Sequence, residues 1–211
     1  MFYNNDNKIN ERKDYKMSTT LNYYEKHAKE FAMYTAGVDF SKVQNKFLQR
    51  LKKGGLILDY GCGSGRDTKY FLKQGFQVEA IDGSKELCQI AKNFTGIEVK
   101  KMLFQELKEV EKYQGIWACS SILHLSKPEL KDVINKMKVS LKKNGIIYTS
   151  FKYGTFEGER NGRYFIDMTE EKFEKFLKNI DGLKLEEQWI TSDIRPGRKE
   201  EKWLNIILRK E

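Results

Sequence analysis

No stretch of this 211-residue chain approaches the roughly 18 apolar residues of a membrane-spanning helix. The opening Met1-Phe2-Tyr3-Asn4-Asn5-Asp6 has none of the apolar core of a signal peptide. Together these absences point to a cytoplasmic protein without a membrane partner. Cysteine is scarce: Cys62, Cys88 and Cys119 are odd in number, far apart and without a C-x-x-C pair, which argues against a disulfide framework and against a thiolate zinc site. Histidine is scarcer, with only His27 and His124, so no metal centre is expected. Neither an internal repeat nor a second domain shows in the pattern.

What the chain does hold is charge. Charged residues make up 33% of it, and 39 Lys plus Arg against 30 Asp plus Glu give a formal +9. The hydrophobic share of 39% is low, but 13% aromatic residues supply enough large apolar surface for a folded core. The excess charge sits between residues 17 and 150 and is carried by lysines, singly or in pairs such as Lys52-Lys53, Lys100-Lys101 and Lys142-Lys143. Such spacing reads as solvated helix faces, with a nucleic-acid surface as the competing reading.

Residues 1–17 are Asn-, Lys- and Asp-rich with no apolar period, as expected of a disordered lead-in, and Met17 offers an alternative start. From Leu21 to about Tyr34 apolar residues recur at steps of three and four, predicting a helix; a second follows from Asp39 or Ser41 to Leu51. The rhythm then changes to short apolar runs at 56–58, 76–81, 97–99, 115–119 and 145–151, separated by helical stretches at 66–74, 84–93, 126–142 and 169–179. Strand alternating with helix predicts an α/β fold, a mostly parallel sheet with helices on both faces. The last two runs, 183–190 and 203–208, are joined by about a dozen residues with no room for a crossover helix, and should be antiparallel.

The most informative segment is Leu56-Ile57-Leu58-Asp59-Tyr60-Gly61-Cys62-Gly63-Ser64-Gly65-Arg66. A buried strand runs into three alternate glycines and then a helix, which is how a nucleotide-like ligand reaches a helix N-terminus. The dinucleotide pattern G-x-G-x-x-G fails, because its last position falls on Arg66 or Thr68. Asp59, misplaced beside a pyrophosphate, suits a cationic group instead. Asp82 ends the second strand 21 residues past Gly61, where a carboxylate can accept both hydroxyls of an adenosine ribose.

The run Asp59 to Gly65, the turn Ile81-Asp82-Gly83-Ser84 and the later Ser121-Ile122-Leu123-His124 resemble the class I S-adenosylmethionine-dependent methyltransferases, particularly small bacterial members of the tellurite-resistance type. The resemblance spans about residues 20–210. It implies a Rossmann-like three-layer sandwich with seven strands in the order 3-2-1-4-5-7-6, strand 7 antiparallel, as one domain over 18–211 whose N-terminal helices, about 20–52, form a lid. It further implies S-adenosyl-L-methionine as cofactor and S-adenosyl-L-homocysteine as product. Tyr24, Tyr34, Asp59, Gly61, Cys62, Gly63, Gly65, Asp82, Gly83, Ser84, Cys119 and Ser120 would then surround the cofactor. The acid that many relatives carry after strand three is Leu103 here, which leaves adenine to the backbone around Phe104 and to Gln105. The aromatic-Asp pair common at the start of strand four is Tyr113-Gln114.

Chemistry asks little of such an enzyme beyond aligning a nucleophile and excluding water. His124, five residues past strand four, is the candidate general base; its competing reading is a packing histidine at the next helix. Cys119 and Ser120 line the pocket in this reading rather than attack. Lys152, Arg160, Arg163, Arg195 and Arg198 fall in two loops at the same sheet edge and are the candidate rim for an anionic small-molecule acceptor. Pairing with Glu157, Glu159, Asp167 or Asp193 is their alternative role. A nucleic-acid acceptor, with tRNA foremost, is the second functional reading. A non-catalytic binding protein is the third, disfavoured by two long polar and aromatic loops on the acceptor side.

Overall fold

The computed structural model describes residues 19–211; the lead-in 1–17 and the alternative start lie outside them. The frame is a seven-stranded sheet in the order β3-β2-β1-β4-β5-β9-β8. Its strands are β1 (Leu56–Tyr60), β2 (Gln77–Asp82), β3 (Val99–Lys101), β4 (Tyr113–Ala118), β5 (Leu141–Lys152), β8 (Leu183–Ser192) and β9 (Lys202–Lys210). β1 to β5 pair in parallel, and β9 runs antiparallel to both β5 and β8. This is the order 3-2-1-4-5-7-6, with β8 and β9 as its sixth and seventh strands. Two short strands, β6 (Glu157–Arg160) and β7 (Arg163–Ile166), make a separate hairpin.

The strands read as continuous apolar runs because both faces of the sheet are covered. Alternate side chains leave on opposite sides: Leu58, Tyr60, Ile116 and Ala118 meet α6 (Lys127–Ser140) and α7 (Glu170–Leu177), whereas Ile57, Trp117 and Tyr148 meet α3 (Ser41–Leu48) and α4 (Arg66–Lys73). α5 (Lys85–Thr95) packs its Cys88 and Ala91 on β2 and β3. On the α3 side Trp117 stacks on Tyr148 with ring centroids 3.9 Å apart and meets Phe47 at 5.1 Å and Phe71 at 5.2 Å. Each of these fully buried rings is worth about 2–3 kcal/mol of hydrophobic burial. No described helix is long and apolar enough to cross a membrane.

One departure from expectation bears on function. The predicted helix 21–34 is broken at His27 into α1 (19–26) and α2 (Ala28–Thr35). α3 packs against the sheet through Val43, Phe47 and Leu48. Over the carboxyl edge stand α1 and α2, with Phe40 at the start of α3 beside them.

Candidate active site

A cavity of about 300 Å³ opens where the parallel strands end, under α1 and α2. That is within the size range of small-ligand sites. Its floor is the β1–α4 turn. Gly63 has φ 56°, in the left-handed region that favours glycine, and a Cβ there would lie 2.9 Å from the Phe31 ring of α2. The Gly63 N–H donates to Asp82 Oδ2 at 2.9 Å and the Ser84 N–H to Oδ1 at 2.9 Å. One end of Asp82 is thus locked to the glycine turn, and each oxygen keeps a further acceptor position. Burial, opposed by those two N–H groups, raises its pKa. Met102, Leu103, Phe104 and Gln105 form a slot beside it, and Cys119 and Ser120 close the turn after β4. Ser120 holds a left-handed φ of 51°, its N–H on Ser150 Oγ at 2.9 Å. Burial, with the charge of Asp67, pushes the Cys119 thiol up to about 11, so it is no thiolate nucleophile at neutral pH.

Of the residues expected around a cofactor, Tyr24, Gly61, Cys62, Gly63, Asp82, Gly83, Phe104, Gln105, Cys119 and Ser120 line this cavity. Tyr34, Asp59, Gly65 and Ser84 do not. Tyr34 is 59% exposed, since the face of α2 turned to the cavity carries Phe31 and Thr35 and Tyr34 sits one 100° step away. Gly65 (φ 81°) lets α4 approach α5, where a Cβ would stand 2.7 Å from Thr95 Cγ2. Ser84 caps α5 and donates to Glu25 Oε2 of α1 at 2.6 Å, clasping the cover shut. Asp59 lies beneath the floor, 2% exposed, accepting from the Thr68 hydroxyl at 2.6 Å.

At the other end of the cavity stand His124 and all five rim cations, Lys152, Arg160, Arg163, Arg195 and Arg198. Four of the five already have carboxylates. Arg160 grips Asp167 through two bonds of 2.9 and 2.6 Å, Arg195 does the same to Asp193, and Lys152 and Arg198 pair with Glu201. Burial alone would push the Asp193 carboxyl up; Arg195 outweighs it and holds it below the usual range. Arg163 differs: among the described residues it has no acidic partner. Its guanidinium lies 4.1 Å from the Tyr23 ring centroid and 5.1 Å from that of Phe165, and its Nε is buried without a hydrogen bond. Among the described residues no acid, cysteine or histidine cluster could hold a metal ion.

Residues 57–145 match the methyltransferase domain family. An uncharacterized methyltransferase of Alkaliphilus oremlandii is 28% identical over 144 residues, 68% of this chain and 65% of that protein. N-terminal Xaa-Pro-Lys N-methyltransferase 1-B of Xenopus laevis is 33% identical over 117 residues, 48% of this chain and 52% of its own. The chain thus spans between about half and two thirds of the length of these relatives. Among solved structures, 1,6-didemethyltoxoflavin-N1-methyltransferase of Burkholderia thailandensis, with 1,6-didemethyltoxoflavin and S-adenosylhomocysteine bound, matches over 100% of this chain and 92% of its own, with a TM-score of 0.69 and 18% identity. The fold is that of the class I methyltransferases.

In this methyltransferase fold the cavity lies at the sheet edge that binds ligands in open α/β proteins. Several of its lining residues escaped the sequence reading. Arg66 and Asp67 open α4 as a salt bridge facing the cavity, with Arg66 Nε 2.8 Å from Oδ1 and 80% of the arginine side chain covered. Burial works against the charge of Arg66, and Asp67 outweighs it, so its pKa rises. The available signal was an Arg-Asp pair at a helix start in a chain whose cations are mostly lysine. The hairpin β6–β7 that carries Arg160 and Arg163 stands where a loop is expected, and Asn161-Gly162, with φ 52° and 72°, is the two-residue turn that marks it.

Asp59 has its own consequence. Burial first, then the charge of Asp67, push its carboxyl up to about 8 against the opposing Thr68 bond. Its folded value lies above its unfolded one, so folding takes up a proton there and stability falls as pH rises from about 4 to 8. Asp59→Asn, which keeps an oxygen for Thr68, should shrink the difference in Tm between pH 5 and pH 8. An unchanged difference would mean that Asp59 is ionised throughout.

Proposed function

We propose that this chain is an S-adenosylmethionine-dependent methyltransferase whose acceptor is a small molecule with an anionic group seated at Arg163. The observation that carries the cofactor half is Asp82: a buried carboxylate pinned by two backbone N–H groups, with an acceptor position left on each oxygen, at the edge of a glycine-floored cavity. That arrangement suits the vicinal hydroxyls of a ribose. Leu103, Phe104 and Gln105 would take the adenine. Arg66, charged and facing the cavity, fits the carboxylate of the methionine part. When bound, S-adenosylmethionine supplies a methyl group already activated on a sulfonium. The protein's share is orientation and dryness, and Tyr24 and Phe31 on the cover supply the apolar wall that excludes water. Within this class, the Ser121-Ile122-Leu123-His124 run supports kinship with the small bacterial tellurite-resistance type. We place the activity in the cytoplasm.

The acceptor half rests on Arg163, the one rim cation without a carboxylate among the described residues. Arg163→Met should raise the half-saturating amount of acceptor about 10- to 100-fold, the worth of one or two bonds to a charged group. Affinity for S-adenosylhomocysteine should stay within threefold by calorimetry. Arg195→Ala, whose guanidinium is already engaged by Asp193, should have the smaller effect on acceptor. The overall test is S-adenosylhomocysteine release with cell extract split into small molecules and RNA. Turnover on the small-molecule fraction is expected; turnover on RNA alone would replace the acceptor assignment with a nucleic acid.

A further inference from the structure

His124 is half-buried and spoken for at both ring nitrogens. Nδ1 lies 2.7 Å from the Tyr164 carbonyl oxygen, which can only accept, so Nδ1 carries the proton. Nε2 then presents a lone pair, and the Tyr24 hydroxyl donates to it at 2.9 Å. Arg163 Nη1 donates in turn to the Tyr24 oxygen at 3.3 Å. The imidazole sits edge-on to Phe165, ring centroids 4.8 Å apart, with Arg163 from β7 and Arg160 from β6 as its charged neighbours. Histidine as a direct base, the reading its sequence position suggests, has no free nitrogen to act with.

Resting on the methyltransferase reading, we propose that Tyr24 and His124 work as one proton acceptor for a reacting O–H or N–H group, with Tyr24 touching that group and His124 taking the tyrosine's own proton. As the acceptor's X–H bond breaks, its proton passes to the Tyr24 oxygen, and the Tyr24 proton passes to His124 Nε2. The pair left on X forms the new bond to the methyl carbon while the carbon–sulfur pair returns to sulfur. The positive charge lost at the sulfonium reappears as the imidazolium, held by the Tyr164 carbonyl. Burial, reinforced by Arg163 and Arg160, lowers His124 to about 4 despite the Tyr164 bond, so the base is empty at any physiological pH. Arg163, bonded to the Tyr24 oxygen, steadies the charge passing through it. Because Tyr24 lies on α1, which is fastened by Glu25 to Ser84 and by the Thr20 hydroxyl to the Tyr164 N–H, the base is complete only when the cover is closed.

The chain has two histidines, so His27→Gln leaves His124 as the sole imidazole signal in nitrogen-15 NMR. In that background, without cofactor, His124 should appear as the neutral Nδ1–H form from pH 5 to 9. Adding Tyr24→Phe removes the donor that favours the neutral ring, and the midpoint should rise by about one pH unit. Transfer of labelled methyl from S-adenosylmethionine to the small-molecule fraction should fall about 100-fold or more in Tyr24→Phe and in His124→Asn. The double variant should fall no further, with S-adenosylhomocysteine affinity within threefold of wild type throughout. Additive losses, a Tyr24→Phe rate above a third of wild type, or an unmoved His124 midpoint would overturn the dyad and leave the methyltransferase reading intact. A wild-type protein that neither binds S-adenosylhomocysteine nor transfers label would overturn both.

Discussion

Replacing Asp82 by alanine should weaken S-adenosylhomocysteine binding about 100-fold or more. Two hydroxyl bonds to a buried carboxylate, at about 1.5–3 kcal/mol each, set that scale. Part of the loss is indirect. The Gly63 N–H, 2.9 Å from Oδ2, and the Ser84 N–H, 2.9 Å from Oδ1, hold the glycine turn and the start of α5 to one side chain, and alanine releases both. Asp82→Asn separates the contributions, because its amide keeps one oxygen to accept while turning the other position into a donor. Alanine should lose more affinity than asparagine and should melt several degrees below wild type, since it leaves two buried N–H groups without their acceptor at about 1–3 kcal/mol each. Isothermal calorimetry and thermal melts decide the point. Unchanged affinity in Asp82→Ala would remove the ribose placement and with it the cofactor assignment.

Most of the sheet was legible because its strands are buried on both faces and its helices are amphipathic, so period and run length separate the two states. The antiparallel end followed from counting residues between 190 and 203. Asp82 was legible for a related reason: chain position at the end of strand two fixes which edge it occupies. The bond from Thr68 to Asp59 was not, because sequence order puts Asp59 next to the glycine turn while strand alternation sends its side chain under that turn. The same limit applies to the arginines. Their sequence placement brings all five rim cations to one cavity, yet whether a guanidinium meets a ligand or a carboxylate depends on neighbours from other elements. Arg160 and Asp167 are drawn together across the β6–β7 hairpin, whose Asn161-Gly162 turn was the unread signal. The Tyr24–His124 contact joins residues 100 apart, from an α-helix and a single 3-10 turn (Ile122–His124) that no periodicity relates.

The largest loss of stability should come from Asp67→Ala. This carboxylate, 7% exposed, accepts from Gln44 Nε2 at 2.6 Å, Arg66 Nε at 2.8 Å, Arg66 Nη2 at 2.9 Å and Trp117 Nε1 at 2.8 Å. It ties α3, α4 and β4 together under the cavity floor. Removing it strands a largely buried guanidinium whose other contacts are the Phe40 ring face, 4.7 Å away, and Cys119 Sγ at 3.7 Å. It also orphans the Trp117 N–H in the middle of the aromatic core. Breaking one side of a buried ion pair costs about 3–5 kcal/mol, which for a domain of this size is on the order of 10 °C in Tm. The companion variant fixes the cause. If the unpaired charge is what destabilises, Asp67→Ala with Arg66→Met should recover a substantial part of the lost Tm, because methionine fills the space beside Phe40 without a charge to bury. The same double variant should still bind S-adenosylhomocysteine more weakly than wild type, since the cation fitted to the cofactor's carboxylate is gone. Recovery of stability without recovery of affinity would assign Asp67 to holding Arg66 and Arg66 to the ligand; a double variant as unstable as Asp67→Ala would put the cost in the Gln44 and Trp117 bonds instead.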